Sequence, residues 1–362
     1  MAAMKHIAII GTQGVPAKYG GFETMVENII GENCSPGIQY TVFCSSKDLP
    51  TNMVSYKGAN LKYIPLPANG IQSTIYDTVS LMKAIRGYDV IVVLGVSGGL
   101  FFPFFRLLCR KKLIVNIDGL EHKRAKWGRF AKKFLRLSEE FALRFSDVVI
   151  ADNQGIVDYI HKRYKKKTVL IAYGGDHVKQ EMATGEEENI LRDLQLTRKD
   201  YSLAICRIEP ENNCHITLEA FVRTEQNLVF VGNWQRSDYG RDLKARYGKL
   251  KNITILESVY DLKILHALRN NCRFYIHSHS AGGTNPSLVE VMFFGCPVLA
   301  YDVVYNRETT ENRANYFRDI TDLVLLLVKD NTAYEENAQT MLEIAHRRYT
   351  WKAIAQQYEE LY

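Results

Sequence analysis

The sequence predicts an α/β protein of two successive units, each a parallel sheet with helices on both faces. Short apolar runs alternate with helix-period segments along the chain, the pattern of parallel strands joined by helical crossovers. The second half repeats the plan of the first, and 362 residues is the length of two domains at roughly 100–200 residues each.

In the first half the strand candidates are His6–Gly11, Tyr40–Cys44, Leu61–Ile64, Val90–Leu94, Leu113–Asp118, Asp147–Asp152 and Thr168–Ile171. Between them, Glu23–Glu32, Thr74–Ile85, Arg129–Phe145 and Gln154–Tyr164 carry helical periodicity. The second half supplies strand candidates Tyr201–Arg207, Asn227–Val231, Ile253–Leu256, Cys272–His277 and Pro297–Tyr301. These are separated by helices such as Ile216–Thr224, Leu262–Arg269 and Pro286–Phe294. The halves join near Gly174–Gly185, and the polar, acidic Thr184–Asn189 reads as an exposed linker. A helical Tyr334–Arg348 stretch and a last helix, Trp351–Tyr362, close the chain.

A composition of 46% hydrophobic and 24% charged residues excludes a collagen, a coiled-coil rod and a disordered chain. The longest apolar runs, Ile91–Gly95 and Leu100–Phe105, fall far short of the ~18 residues of a membrane span. The opening Met1-Ala-Ala-Met-Lys-His leads straight into a strand with no signal-peptide core, so a cytoplasmic location is expected. Seven scattered cysteines without a Cys-x-x-Cys pair read as reduced thiols rather than disulfides or a zinc site.

Charge is uneven. Residues 1–180 hold 25 Lys/Arg against 14 Asp/Glu, and residues 181–362 hold 21 against 26. Eleven basic residues fall within Phe101–Arg136, interleaved with Phe101, Phe102, Phe104, Phe105, Trp127, Phe130 and Phe134. Such a segment either faces an anionic partner or forms a solvated basic helix.

Four motifs stand at the ends of strands. The first, Gly11-Thr12-Gln13-Gly14 running on to Lys18-Tyr19-Gly20-Gly21-Phe22-Glu23-Thr24, joins a strand to a helix, where bare amides and a helix terminus can meet an anion. It fits neither the dinucleotide nor the phosphate-loop spacing, and glycines needed for tight turns are the alternative. The second, Asp118-Gly119-Leu120-Glu121-His122, could supply a base or bonds to sugar hydroxyls, or cap a helix. Asp152-Asn153 is similar and also suits a helix N-cap. The third, Arg207-Ile208-Glu209-Pro210-Glu211-Asn212-Asn213, offers a guanidinium fork for phosphate oxygens or else a surface ion pair. The fourth runs from His277 through Gly282-Gly283-Thr284-Asn285-Pro286 to Glu290 and Gly295-Cys296-Pro297-Val298. Its amides at 283–287 could hold a diphosphate while Glu290 accepts bonds from ribose hydroxyls. His277 and His279 share a strand face but lack a third ligand, so no metal is expected.

The Gly-Gly-Thr-Asn-Pro-Ser-Leu-Val-Glu segment, its Gly-Cys-Pro-Val continuation and the Lys18–Thr24 stretch resemble the family 4 retaining glycosyltransferases of GT-B type. Arg207–Asn213 and Tyr305–Asn312 look like the bacterial branch that holds capsule and cell-wall rhamnosyltransferases. The resemblance implies two Rossmann-like domains facing across a cleft, with a C-terminal helix returning toward the first. They would be an acceptor-binding domain at 1–178, a nucleotide-sugar domain at 179–345 and a crossover helix at 346–362. It implies a hexosyltransferase, most narrowly one moving rhamnose from dTDP-rhamnose to a polyprenyl-diphosphate-linked saccharide in envelope polysaccharide synthesis.

Carried over by position, Arg207 would hold the donor diphosphate with Asn212 beside it, Gly283, Thr284 and Asn285 would line the sugar and phosphates, and Glu290 would bind the ribose. Gly20 and Gly21 would close on the diphosphate and Asp152 would add to the donor site. Asp118, Glu121 and His122 would line the reaction centre. Two departures stand out: Gly282 and Asn212 occupy positions where the broad family places a glutamate and a basic residue. With no Asp-x-Asp after a strand, the resemblance implies no cofactor and no metal, with retention of configuration by front-face attack. The basic, aromatic segment implies peripheral attachment to the anionic inner leaflet of the cell membrane, with no nucleic-acid partner. Arg207→Ala and Glu290→Ala are each expected to remove most transfer and leave the fold intact. A nucleotide-sugar epimerase or hydrolase on the same fold is the alternative.

Overall fold

The computed structural model describes residues 4–18, 20–117, 119–120, 122, 128–329 and 332–362. The chain divides into one unit of Met1–Tyr173 with Trp351–Tyr362 and a second of Gly174–Thr350, against the expected boundaries at 178/179 and 345/346.

The first unit holds an eight-stranded sheet, built of β1 (Lys5–Ile10), β2 (Ile38–Ser45), β3 (Ser55–Tyr56), β4 (Ala59–Ile64), β5 (Val90–Leu94), β6 (Lys112–Asn116), β7 (Val148–Ala151) and β8 (Val169–Leu170). Their order is β3-β4-β2-β1-β5-β6-β7-β8, and β3 is the antiparallel edge strand. Ile7 stands level with Tyr40 of β2 and with Val90 of β5, so β1 lies at the centre, buried on both faces. The helix Gly21–Glu32 lays Met25, Val26, Ile29 and Ile30 on this sheet. The last helix, Trp351–Glu359, adds Trp351, Ile354, Ala355 and Tyr358 to the same core. The Glu359 carboxylate accepts from the Cys34 amide at 2.9 Å and the Ser35 hydroxyl at 2.5 Å, and the Asn116 amide donates to the Tyr358 hydroxyl at 2.6 Å. The C-terminal segment is thus part of the first unit's core.

The second unit holds six parallel strands: β9 (Tyr201–Ile205), β10 (Asn227–Val231), β11 (Ile253–Leu256), β12 (Tyr275–His277), β13 (Val298–Tyr301) and β14 (Asn315–Phe317). Their order is β11-β10-β9-β12-β13-β14. Trp234, Phe230, Leu218 and Phe221 fill the core on one side.

One expectation is corrected here. The acidic Thr184–Asn189 stretch is the start of a helix, Glu186–Asp193, and not a linker. Three glutamates in a first turn suit the positive end of a helix dipole, and Leu191 anchors the other face. Glu187 accepts bonds from the side-chain amides of Asn270 and Asn271 at 3.0 and 2.7 Å. All seven cysteines are free. Among the described residues, no helix is long and apolar enough to cross a membrane.

Candidate active site

In an open parallel sheet, ligands bind beyond the carboxyl ends of the two strands where the strand order reverses. In the second unit those strands are β9 and β12, which run into the Arg207 and Gly282–Gly283 segments. Four hydrogen bonds join the segments. The Ser280 amide and hydroxyl donate to the Glu211 carbonyl at 3.0 and 2.8 Å, the Ser278 hydroxyl donates to the Asn212 carbonyl at 2.7 Å, and the Asn213 side chain donates to the Ser278 carbonyl at 3.0 Å.

Arg207 keeps 40% of its side chain exposed, and its nearest carboxylate contact, Glu209, stands 3.9 Å away. That distance is too long for a hydrogen bond, so the guanidinium fork is not tied up by that carboxylate. Asn212 is buried, and its side-chain amide donates to the Arg207 carbonyl at 2.7 Å. It shapes the turn beneath the arginine instead of offering a donor at the surface. Asn285 caps the helix Pro286–Met292, accepting from the amide and hydroxyl of Ser287 at 3.3 and 3.0 Å. The expected amide row at 283–287 is therefore shortened at its end, because proline has no N–H and Ser287 is engaged. Thr284 is buried, whereas Gly282, at φ +133°, has open space where a Cβ would project.

Glu290 sits on that same helix, and its Oε2 accepts from the guanidinium of Arg269. Arg269 lies on the helix Leu262–Asn271, 1% exposed, with its Nε and Nη1 unpartnered. His177 Nε2 stands 3.8 Å from the other carboxylate oxygen. A charge-assisted bond fixes one oxygen and leaves the second able to accept from a ligand diol. Neither Arg269 nor His177 carried a sequence signal: a lone arginine in an amphipathic helix gives no hint of a partner 21 residues away.

In the first unit the order reverses between β1 and β5, and the loop after β1 passes close to β5. A Cβ on Gly11 would lie 2.1 Å from the Leu94 carbonyl oxygen, and φ is +99°, so only glycine fits. The loop's amides are not bare. Gln13 N–H donates to Glu23 at 2.9 Å and Ala17 N–H to Glu27 at 2.6 Å, both carboxylates belonging to the following helix. Gly20, at φ +125°, is the residue before Gly21 opens that helix.

Asp118 and Glu121 lie outside the described residues. His122 is buried, with Nδ1 3.0 Å from Glu139 and Nε2 3.4 Å from the Tyr159 hydroxyl. The other Glu139 oxygen accepts from the hydroxyls of Tyr159 and Tyr164 at 3.1 and 2.8 Å. Burial, reinforced by this carboxylate, raises both phenols above their ordinary range. Glu139 orients the imidazole through Nδ1, the arrangement that fixes a tautomer. Sequence reading missed Glu139, placed on a helix that looked wholly superficial. Asp152 is buried beyond β7, and the Asn153 side chain accepts from the Gly155 amide at 2.9 Å as a helix cap. Among the described residues, no three His, Cys, Asp or Glu side chains converge as a metal-ligand set.

Two closed α/β units, each with its polar loops at a strand-order reversal, are the frame of the GT-B glycosyltransferases, and comparison with solved structures bears this out. Sucrose-phosphate synthase from Thermosynechococcus elongatus superposes with a TM-score of 0.81 at 18% identity, over 99% of this chain and 98% of that one. Anabaena Alr3699/HepE in complex with UDP and glucose gives 0.76 at 17% identity, over 98% of each chain. The α,α-trehalose-phosphate synthase (UDP-forming) from Burkholderia xenovorans, in complex with glucose-6-phosphate, gives 0.74 at 12% identity over 99% of each. Residues 186–348 match the family described as Glycosyl transferases group 1, and residues 4–176 match one described as Domain of unknown function (DUF1972). No curated protein is matched by the sequence. The chain has the GT-B fold, and residues 186–348 of its second unit are similar to the Glycosyl transferases group 1 family.

Proposed function

We propose that the chain transfers a rhamnosyl group, with retention, from dTDP-rhamnose to a polyprenyl-diphosphate-linked saccharide of an envelope polysaccharide. The observation that carries the reading is the bonding of the Arg207 and Ser278–Ser280 segments at the strand-order reversal of a unit similar to the group 1 family. That bonding sets a guanidinium beside a glycine loop that leads to Glu290. The group's relatives add weight, since HepE is solved with UDP-glucose and starch synthase IV from Arabidopsis thaliana with ADP and acarbose.

In this reading Arg207 and the amides at 283–285 meet charge developing on the leaving diphosphate, a stabilisation that is largest where donors are already oriented. Glu290, aimed by Arg269, binds the ribose hydroxyls. The departing phosphate oxygen takes the acceptor proton, so no protein carboxylate need act as a nucleophile, and the sequence has no Asp-x-Asp to recruit a metal. His122, held by Glu139, serves the acceptor side. The rhamnosyl donor rests on the likeness of the Gly282–Glu290 and Arg207–Asn213 motifs to the rhamnosyltransferase branch.

The lipid acceptor rests on the first unit's surface. The packed helices Phe102–Leu108 and Arg129–Phe145 expose Phe104, Leu107, Leu108, Phe130 and Leu137 among Arg129, Lys132, Lys133 and Arg136. Phe130 is 89% exposed. Each basic residue near an anionic leaflet contributes about 1 kcal/mol, and aromatic side chains favour the interface. Sedimentation with liposomes that shows no dependence on anionic lipid would remove this part of the reading.

The test is a donor screen. Purified protein receives dTDP-rhamnose, UDP-sugars or GDP-sugars, each with and without a synthetic polyprenyl-diphosphate-GlcNAc or -Glc acceptor. The expected result is a lipid product heavier by one deoxyhexose only when both substrates are present. Donor consumed without acceptor would replace transfer by the epimerase or hydrolase reading.

A further inference from the structure

Beyond the residues so far assigned, the strand-order reversal of the second unit holds two buried imidazoles, three of whose ring nitrogens have no partner among the described residues. Tyr275, His277 and His279 fall at alternate positions and stack on one face. Their ring centroids lie 6.2 Å apart for the first pair and 4.2 Å for the second, with interplanar angles of 20° and 14°. His277 is wholly buried and His279 is 8% exposed. Among the described residues, neither ring nitrogen of His277 nor Nδ1 of His279 has a hydrogen-bond partner. Buried polar atoms without partners are rare and costly, so three in one stack call for an explanation.

The backbone around the stack is clamped. Ser278 and Ser280 bond to the Asn212 and Glu211 carbonyls, and the Asn306 side chain donates to the His279 carbonyl at 2.9 Å. His279 is therefore held in place just before Gly282 and Gly283, within reach of the Arg207 charge.

We propose that His279, seated on His277, is the side chain of the second unit that hydrogen-bonds a hydroxyl of the donor's sugar. The assignment rests on the reading of the chain as a nucleotide-sugar transferase. Burial, with the Arg207 charge beside it, pushes His279 down to about 3. The ring is then neutral at physiological pH, with one N–H and one lone pair. That pairing matches a hydroxyl, itself donor and acceptor, whereas a phosphate is better served by the arginine. His277 serves as the platform that fixes the ring plane.

The test compares binding of a nucleoside diphosphate with binding of a nucleotide sugar by calorimetry, using UDP, dTDP, UDP-glucose and dTDP-rhamnose. H279F keeps the stack and deletes the ring nitrogens. It should bind UDP or dTDP within about twofold of wild type and the preferred nucleotide sugar roughly 10–100-fold more weakly. H279Q, which restores a donor and an acceptor, should recover most of that loss. Unchanged nucleotide-sugar affinity in H279F overturns the proposal, and so does an equal loss for the nucleoside diphosphate. If H279F does not fold, nitrogen-15 signals of the wild-type imidazoles decide. The signal absent from H279Q should shift with dTDP-rhamnose or UDP-glucose and not with dTDP or UDP, and a static signal overturns the proposal. Wild-type protein that binds none of the four, nor GDP or GDP-mannose added as a further pair, refutes the transferase reading itself, and the assignment of His279 falls with it.

Discussion

Glu290→Ala should destabilise the second unit as well as abolish donor binding, because the carboxylate is the visible partner of a buried cation. Arg269 is 1% exposed, with Nε and Nη1 already unpartnered, so removing Glu290 strands the whole guanidinium. Breaking a buried pair from one side costs about 3–5 kcal/mol. For a unit the size of Gly174–Thr350 each kcal/mol moves the melting midpoint by about 2–4 °C, which gives a drop of roughly 6–20 °C. Arg269→Met should be far milder, since it replaces a buried charge by a side chain of similar length and leaves a carboxylate 15% exposed to water. The double variant should melt above Glu290→Ala. The assay is thermal unfolding followed by hydrogen-exchange mass spectrometry, which reads peptides from 174–350 separately from the first unit. A Glu290→Ala midpoint within about 2 °C of wild type, or a double variant no better than the single, would refute the reasoning. The fold-neutral outcome expected from sequence is thus predicted for Arg207→Ala, whereas Glu290→Ala is predicted to destabilise.

Arg207→Ala should lower kcat/KM by roughly 10–150-fold, the worth of a bond to a charged group. Its melting midpoint should stay within about 1 °C, because the exposed Arg207–Glu209 contact at 3.9 Å contributes little. Gly11→Ala forces a Cβ onto the Leu94 carbonyl at a φ of +99°, and should cost the first unit roughly 3 kcal/mol or more, read by urea denaturation. Asp77 is buried and accepts from the Ser97 hydroxyl, and burial pushes its carboxyl up to about 7 from 3.8. Between those values the folded state holds the proton and the unfolded state releases it, so this group makes the first unit less stable as pH rises from about 4 to about 7. Asp77→Asn should therefore gain stability over wild type as pH rises through that window, and melts at pH 5 and 8 that differ equally for both proteins would count against it.

Strand positions were legible because strands buried on both faces are apolar at successive residues, as Val90–Leu94 is. The glycine loops were legible because a positive φ or a close carbonyl leaves no other residue type, as at Gly11. What the sequence hid is non-local. Glu139 looks like one more charge on a basic amphipathic helix, yet the fold buries it against His122, Tyr159 and Tyr164. Arg269 and Glu290 meet only because two helices of one unit approach each other. The helix at 186–193 was read as linker because its acidic first turn matches an exposed tract in composition, and only Leu191 marks its buried side.

The two loops that looked alike in sequence have opposite electrostatics. In the first unit the amides of Gln13 and Ala17 are already bonded to Glu23 and Glu27, so an anion approaching that loop would displace carboxylates and face their charge. In the second unit the corresponding turn is flanked by Arg207, and the acid of the adjoining helix, Glu290, is neutralised by Arg269. A diphosphate is therefore favoured at the second unit's loop and disfavoured at the first, whatever the glycine count of each. Under the proposed function this asymmetry gives the donor its place. It also gives Gly20 a structural duty, since a Cβ there would lie 1.9 Å from the Glu23 carboxylate that accepts from the Gln13 amide.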